Sequence, residues 1–274
     1  MLKTPHWEMM IVLYFFLGGI AGGAYFTAAI ADNFGETRDS AVARAGYLLS
    51  LPLVAICGLL LIADLGVPAR FMNMLGVFKF WDPMSIGAWA VGVFGLFSFV
   101  SCALSLGASP AREALRRKIG LVGIVFGFFL ASYTGVLLSN TAQPFWSDAR
   151  LMGALFLASG ASTGMAAISL ILFLVGARTG DGWGKVKRAD RYSMIIELVV
   201  LAIFLTMLGA AAKPILSGHL APLFWGGLVV AGLVVPLVLD VTGILGRPAA
   251  ALSAVLVLAG GFVLRYVVVM SIQS

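Results

Sequence analysis

The chain has 274 residues and a formal net charge of +6, and it is 61% hydrophobic and only 11% charged. With a mean hydropathy of +1.04, it is excluded from the soluble domains of this length, and the bilayer is its solvent. The positive charge is no sign of nucleic-acid binding, because it is divided between alternate loops of a membrane protein.

A membrane helix needs about 20 mostly apolar residues to cross about 30 Å of hydrocarbon. Eight such segments are predicted, near Met9–Ala31, Ala45–Ala63, Ser85–Gly107, Ile119–Leu138, Leu151–Gly176, Met194–Ala212, Leu220–Leu239 and Ala249–Met270. Their connections are short, so the expectation is a single transmembrane domain over residues 1–274. It is an all-α integral membrane bundle of eight helices, with no periodicity that favours a barrel. The connections after the first, third, fifth and seventh helices carry 12 of the 18 basic residues: Arg38, Arg44, Arg112, Arg116, Arg117, Lys118, Arg178, Lys185, Lys187, Arg188, Arg191 and Arg247. The other side, tails included, carries Lys3, Arg70, Lys79, Arg150, Lys213 and Arg265. The positive-inside rule then puts both termini on the outer, periplasmic side.

In chain order, Lys3, the apolar run after it and Ala29-Ile30-Ala31 have the parts of a signal peptide. The run is too long for an h-region and follows Glu8, so it reads as a retained first helix. Gly18-Gly19-Ile20-Ala21-Gly22-Gly23 holds two overlapping ladders of small residues, which let backbones approach closely in lipid. Helix two is expected to be broken early by Pro52 and ends at Asp64, where an acid opposes the helix dipole. Asp64 either reaches into water or holds a partner or a proton, and Arg70 is its nearest candidate partner. Between Phe71 and Asp82 the chain is too short to span. Phe71, Met74, Leu75, Phe78 and Trp81 recur at helical spacing, which suits a segment lying along the outer interface. Asp82 and Ser85 are candidate caps of helix three.

Tyr133 lies about two turns inside the outer end of helix four, roughly 8–11 Å deep. A phenol there needs a hydrogen-bond partner, and a neighbouring backbone carbonyl serves as well as a ligand. Glu197 is expected about one turn inside the inner face at the start of helix six. Asp32 and Asp240 end helices one and seven at that face, with Pro236 freeing a carbonyl near Asp240. Arg265 falls in the outer third of helix eight. Charges at such depth are costly and mark ion, proton or ligand sites. Cys57 and Cys102 sit mid-helix as small packing residues. An iron–sulfur cluster takes about four thiolates, and His6 and His219 both lie near the outer surface. No haem, iron–sulfur cluster or other metal is therefore expected in this chain.

The polar residues fall into two layers. Asp64, Arg70, Tyr133, Asn140, Lys213, Arg265, His6 and Trp7 belong near the outer face, and Asp32, Tyr47, Glu197 and Asp240 near the inner one. Between them lie Ser98, Ser101, Ser105, Ser159, Ser162, Thr163, Ser169 and Thr206, which either bridge the layers with water or bond carbonyls of their own helices. The outer set suits a ligand with a polar head and a lipid-soluble body, and a quinone is the obvious class. A transporter would hold its ionisable groups nearer the midplane.

Four ordered strings carry a resemblance. They are Tyr14-Phe15-Phe16-Leu17-Gly18-Gly19-Ile20-Ala21-Gly22-Gly23, Ala63-Asp64-Leu65-Gly66-Val67-Pro68-Ala69-Arg70-Phe71, Pro83-Met84-Ser85-Ile86-Gly87-Ala88-Trp89, and Tyr133-Thr134-Gly135-Val136-Leu137-Leu138-Ser139 with Pro144-Phe145-Trp146. Together they resemble the NrfD family, the membrane subunit of polysulfide reductase and related complexes, over essentially the whole chain. The resemblance implies a bacterial inner-membrane subunit that binds menaquinol or ubiquinol near the outer face. It implies electron exchange with a ferredoxin-like four-cluster iron–sulfur subunit, which connects to a molybdopterin or multihaem catalytic subunit. Terminal-substrate chemistry then belongs to other chains.

By the same resemblance Asp64 is a proton acceptor for the quinol and Tyr133 a donor to a quinone carbonyl. His6 with Trp7 matches a histidine before helix one, and Arg265 pairs with Asp64 or a neighbouring carbonyl. Arg70, Asn140, Lys213 and Trp7 support the outer cluster. Glu197, Asp240 and Asp32 mark an inner proton path, against the alternative of a cytoplasmic-side salt link from this group to Arg188 or Arg191. Two other functions stay open at this point: a stand-alone transporter or proton channel, and a pure anchor that binds no quinone.

Overall fold

A computed structural model of the protein describes residues 9–36, 39–65, 67–76, 78–79, 81–107, 109–140, 151–176, 181–242 and 246–271. Among the described residues all regular structure is helical, and eight helices are long and apolar enough to cross a membrane. They are α1 (Met9–Phe34), α2 (Ser40–Asp64), α3 (Pro83–Ser105), α4 (Pro110–Ser139), α5 (Met152–Leu174), α6 (Asp181–Leu208), α7 (Leu223–Thr242) and α8 (Gly246–Met270). In lipid no water satisfies a backbone amide, so each crossing segment must close its own hydrogen bonds as a helix.

Two helices start well before the expected spans. Helix α4 begins at Pro110 and α6 at Asp181, not near Ile119 and Met194. Hydropathy marks where the hydrocarbon begins. The helix itself continues into water through residues of good helical propensity, such as Ala114, Leu115, Arg116 and Arg117. Proline at the first turn suits α3 and α4, because its missing N–H has no partner there anyway. Asp82 caps α3, accepting from Met84 N at 3.1 Å. Ser85 accepts from Lys79 N at 3.1 Å, which ties the preceding loop to the helix.

Helix α1 is the hub. It packs against α2, α4, α5 and α8, while α3 lies on α2 and α4, α6 on α5, and α7 on α8. The glycine ladder is the reason. A Cβ on Gly23 would collide with the Gly160 carbonyl of α5, and one on Gly22 would lie 2.6 Å from the Gly127 carbonyl of α4. Gly46 of α2 lets that helix come as close to α1, since its Cβ would stand 2.6 Å from the Ala24 carbonyl. Backbones that touch in this way gain van der Waals contact where lipid removes the hydrophobic drive.

Helix α7 is wound as a π-helix over Leu223–Val234 and as an α-helix from Val235. Pro236 follows the change, and a proline cannot donate to the carbonyl four residues before it. Pro52, expected to break helix two, instead lies within the continuous α2, which gives up that one hydrogen bond without ending. A short helix, Phe71–Gly76, follows a 3₁₀ turn at Pro68–Arg70. Met72 within it and Phe78 and Trp81 after it are exposed, as an interfacial segment requires. The side chains of Met74 and Leu75 lie outside the described residues.

Ion pairs gather at the end of the bundle that carries the basic loops. Asp32 of α1 takes a bidentate pair from Arg116 of α4, with Nη2–Oδ1 2.6 Å and Nε–Oδ2 2.7 Å. Lys185 of α6 bonds Asp39 at 3.0 Å, and Asp240 of α7 meets Lys187 at 2.9 Å and Arg191 at 2.8 Å. These links join α1 to α4, α6 to the start of α2, and α6 to α7.

Candidate functional site

A cavity of about 350 Å³ opens at the other end, between α1, α2, α3 and α4. That volume suits a small-molecule site, and so does a wall that is mostly apolar with a few polar groups. Helix α2 supplies Gly58, Leu61, Ile62 and Asp64, and α3 supplies Met84, Gly87, Ala88, Val91 and Gly92. Tyr14 comes from α1, Tyr133 and Leu137 from α4, and Phe71 from the short helix. The polar atoms are therefore two phenols and one carboxylate.

Tyr133 is 5% exposed and donates its proton to the Pro83 carbonyl at the head of α3. Gly87 makes this approach feasible, because a Cβ there would lie 2.5 Å from the Tyr133 oxygen. The ring of Phe129 stacks on Tyr133 at 5.5 Å. Tyr14 is 3% exposed and lies close to Tyr133 and Cys57, whose thiol donates to the Tyr14 backbone carbonyl. Asp64 is the last residue of α2 and is exposed, at the rim of the cavity.

A second polar group lies in the other half of the bundle. Arg265 of α8 is fully buried and donates to Ser159 Oγ (2.7 Å), the Gly261 carbonyl (2.8 Å) and the Phe156 carbonyl (3.3 Å). Its guanidinium carbon lies 5.2 Å from the Phe156 ring centroid, and Gly19 of α1 leaves it room. Ser162 of α5 donates to Glu197 Oε2 at 2.8 Å. The Ser159 hydroxyl stands between the guanidinium and that carboxylate. Glu197 Oε1, Arg265 Nε, Ser169 Oγ and Asp190 Oδ1 are buried without hydrogen-bond partners.

The expected outer cluster is thus divided. Asp64 and Tyr133 do line one cavity, whereas Arg265 does not join them; its bonds go to α5 and to its own helix. Arg265 lies near the C-terminal end of α8, but it faces the α5–α6 side of the bundle. Glu197 is also corrected. It lies 16 residues into α6, about 24 Å from the start of that helix and level with Ser162 in mid-bundle, not one turn inside the inner face. Its hydrogen bond goes to Ser162, and Arg191 is taken by Asp240.

Asp32 and Asp240 do lie at the basic end, each in ion pairs, and Tyr47 reaches Asp32 at 3.5 Å. Asn140 donates to the Val136 carbonyl of its own helix at 3.0 Å, and Lys213 is exposed at the head of the short helix Lys213–Leu216. Neither lines the cavity. His6 and Trp7 lie outside the described residues, and so does the side chain of Arg70.

The hydroxyls divide as well. Ser105, Thr163 and Thr206 bond carbonyls of their own helices, whereas Ser98 meets Ser50 and Ser101 meets Tyr25, each at 2.8 Å. Among the described residues no group of three or more His, Cys, Asp or Glu could hold a metal. Tyr14 is the cavity residue that residue-by-residue reading missed. The signal was its depth: a second phenol near the outer end of a buried helix, facing the same demand for a partner as Tyr133.

Comparison with known proteins agrees with this architecture. A family model described as polysulfide reductase, of the NrfD type, matches residues 2–274. Over 309 aligned residues the sequence is 30% identical to the C subunit of polysulfide reductase from Wolinella succinogenes, covering 99% of this protein and 96% of that one. It is 27% identical to the protein NrfD homolog of Haemophilus influenzae, over 86% of this protein and 84% of the relative. Protein NrfD of Escherichia coli is 25% identical, over 95% and 92% of the two sequences. With a match of that extent on a bundle of eight membrane-crossing helices, the chain belongs to the NrfD-type polysulfide reductase family of membrane proteins.

Proposed function

We propose that the protein is the quinone-reactive membrane subunit of a multi-subunit respiratory oxidoreductase in a bacterial inner membrane. The observation that carries this reading is the cavity itself. It is apolar enough for a lipid-soluble ring, and it places one carboxylate and two phenols around that space. It lies at the end opposite the ion-paired basic loops, which the positive-inside rule makes the outer end.

A quinol that becomes a quinone gives up two protons and two electrons, and the reverse reaction takes them up. Asp64, at the rim, is placed to exchange a proton between a ring oxygen and outer water. The two cysteines lie buried on different helices and cannot hold a cluster by themselves. Electrons therefore pass to a partner, which this reading takes to be a four-cluster iron–sulfur subunit connected to a molybdopterin or multihaem catalytic subunit. The lettered name of the Wolinella relative, the C member of a polysulfide reductase, supports an assembly of several polypeptides. The buried polar column of Asp190, Ser169, Glu197, Ser162, Ser159 and Arg265 is the candidate route for protons through the bundle, in place of a path through the ion-paired Asp32 and Asp240.

The test is quinol turnover in membranes holding the assembled complex. Asp64→Asn should lower the rate about a hundredfold, the scale of a lost proton-transfer group, with the complex present in normal amount. Tyr133→Phe should have a smaller effect, because the Tyr133 proton already bonds the Pro83 carbonyl. Normal turnover in both variants would remove the cavity from the reaction.

A further inference from the structure

The basic end of the bundle carries two kinds of cation. Arg116, Lys185, Lys187 and Arg191 each meet a carboxylate of a neighbouring segment, and Arg117 meets Glu113 one turn before it. Arg44, Arg112, Lys118 and Arg188 are exposed and form no ion pair among the described residues. Arg112 packs against Gly107, just after α3. The other three have a placement in common.

Helices α2, α4 and α6 all start at this end, so later residues lie deeper in the hydrocarbon. Residues four apart share one face of a helix. Four residues after Arg44 comes Leu48, four after Lys118 comes Val122, and four after Arg188 comes Tyr192, and all three are exposed. The same faces continue through exposed Leu59 on α2, Val125 on α4, and Ile195 and Val199 on α6. An exposed apolar stripe along a membrane-crossing helix faces lipid. Each free cation therefore heads a lipid-facing stripe, about one turn above its first large apolar side chain. Each also comes two to five residues after a residue whose ion pair ties that chain segment to another: Asp39, Arg116 and Lys185. Pairing and direction thus agree. Cations turned between helices have carboxylates, and cations turned toward lipid have none.

We propose that Arg44, Lys118 and Arg188 form a discontinuous collar that binds the headgroups of anionic phospholipids in the adjacent leaflet. The stem of each side chain lies along apolar surface and carries its charge to the membrane boundary, where lipid phosphates stand. A zwitterionic headgroup brings a cation of its own beside the phosphate, whereas an anionic one leaves the phosphate free for the protein. Attraction of anionic lipid by a Lys or Arg near the surface corresponds to about fivefold in affinity for each cation. The ion-paired cations have a different task, which is to join helices.

Delipidated full-length protein in detergent tests this when it is titrated with dioleoyl phosphatidylglycerol or dioleoyl phosphatidylcholine. The two lipids share acyl chains and a phosphate and differ in net charge. Native mass spectrometry counts the bound lipids, and thermal unfolding reads stability. The wild type should bind phosphatidylglycerol at least about fivefold more tightly. Arg44→Gln, Lys118→Gln and Arg188→Gln should each lose part of that preference, and the triple variant should bind the two lipids within about twofold of each other. None of the three charges joins helices, so the lipid-free Tm of each variant should stay at the wild-type value. Lys187→Gln is the matched control, because it removes one charge from the same end but breaks the pair with Asp240. It should lower the Tm and keep the preference. The proposal is overturned if the wild type binds both lipids alike, if the single and triple variants keep the wild-type preference, or if Lys187→Gln loses as much of it as they do.

Discussion

Arg265 shows how a single charge is tolerated in the centre of a membrane bundle. It is fully buried, yet it has three hydrogen-bond acceptors, an aromatic face and an acid across the Ser159 hydroxyl. Glu197 in turn is 1% exposed and bonded to Ser162. Removing one of two opposed buried charges strands the other, at a cost of roughly 3–5 kcal/mol. Arg265→Gln and Glu197→Gln should each lower thermal stability in detergent by that order. The double variant should lose less than the sum, with a coupling of about 1–3 kcal/mol. Strictly additive losses would show that the two side chains do not sense each other. The folded fraction of Glu197→Gln also tests the proton route: quinol turnover should persist while proton uptake from the basic side of sealed vesicles disappears.

At the scale of the helix, contact is governed by what is missing. Gly23 meets the Gly160 carbonyl with nothing between them, so even Gly23→Ala must push α1 away from α5. Overpacking of this kind costs about 1–3 kcal/mol. Gly226 of α7 has no atom within 4 Å of a built Cβ, and Gly226→Ala should be neutral or stabilising by about 0.5–1 kcal/mol. Thermal unfolding of the two purified variants separates these cases, and equal behaviour would mean that the α1–α5 contact is looser than its glycines indicate. The helix ends carry a related lesson. Apolar runs located all eight crossings, but Pro110–Lys118 and Asp181–Arg191 extend two of them into water, where hydropathy is silent about helix.

For the whole molecule, charge distinguishes the two ends of the bundle. The ion pairs of Asp32, Asp39 and Asp240 gather at one end and the cavity opens at the other. With Cys57 and Cys102 buried, a thiol reagent that cannot cross membranes meets little background. Lys79→Cys, near the cavity, should label in intact cells. Glu36→Cys, beside Lys185 at the basic end, should label only in inverted vesicles. The reverse pattern would invert the molecule and place the cavity on the cytoplasmic side.

Hydropathy and spacing are local properties, so the eight crossings, the small-residue faces of α1 and the positions of Asp64, Tyr133 and Arg265 near the ends of their helices could all be read from the sequence alone. Direction around each helix could not. It decided that Arg265 faces Glu197 and not Asp64, that the Tyr133 proton goes to Pro83, and that Tyr14 lines the cavity. It also separated the glycines that touch a neighbouring backbone from those that open onto empty space. A residue's place along its own helix follows from counting, but its level in the bundle, as Glu197 beside Ser162 shows, and the partner it meets there depend on how every helix is shifted and rotated against the others, which packing alone sets.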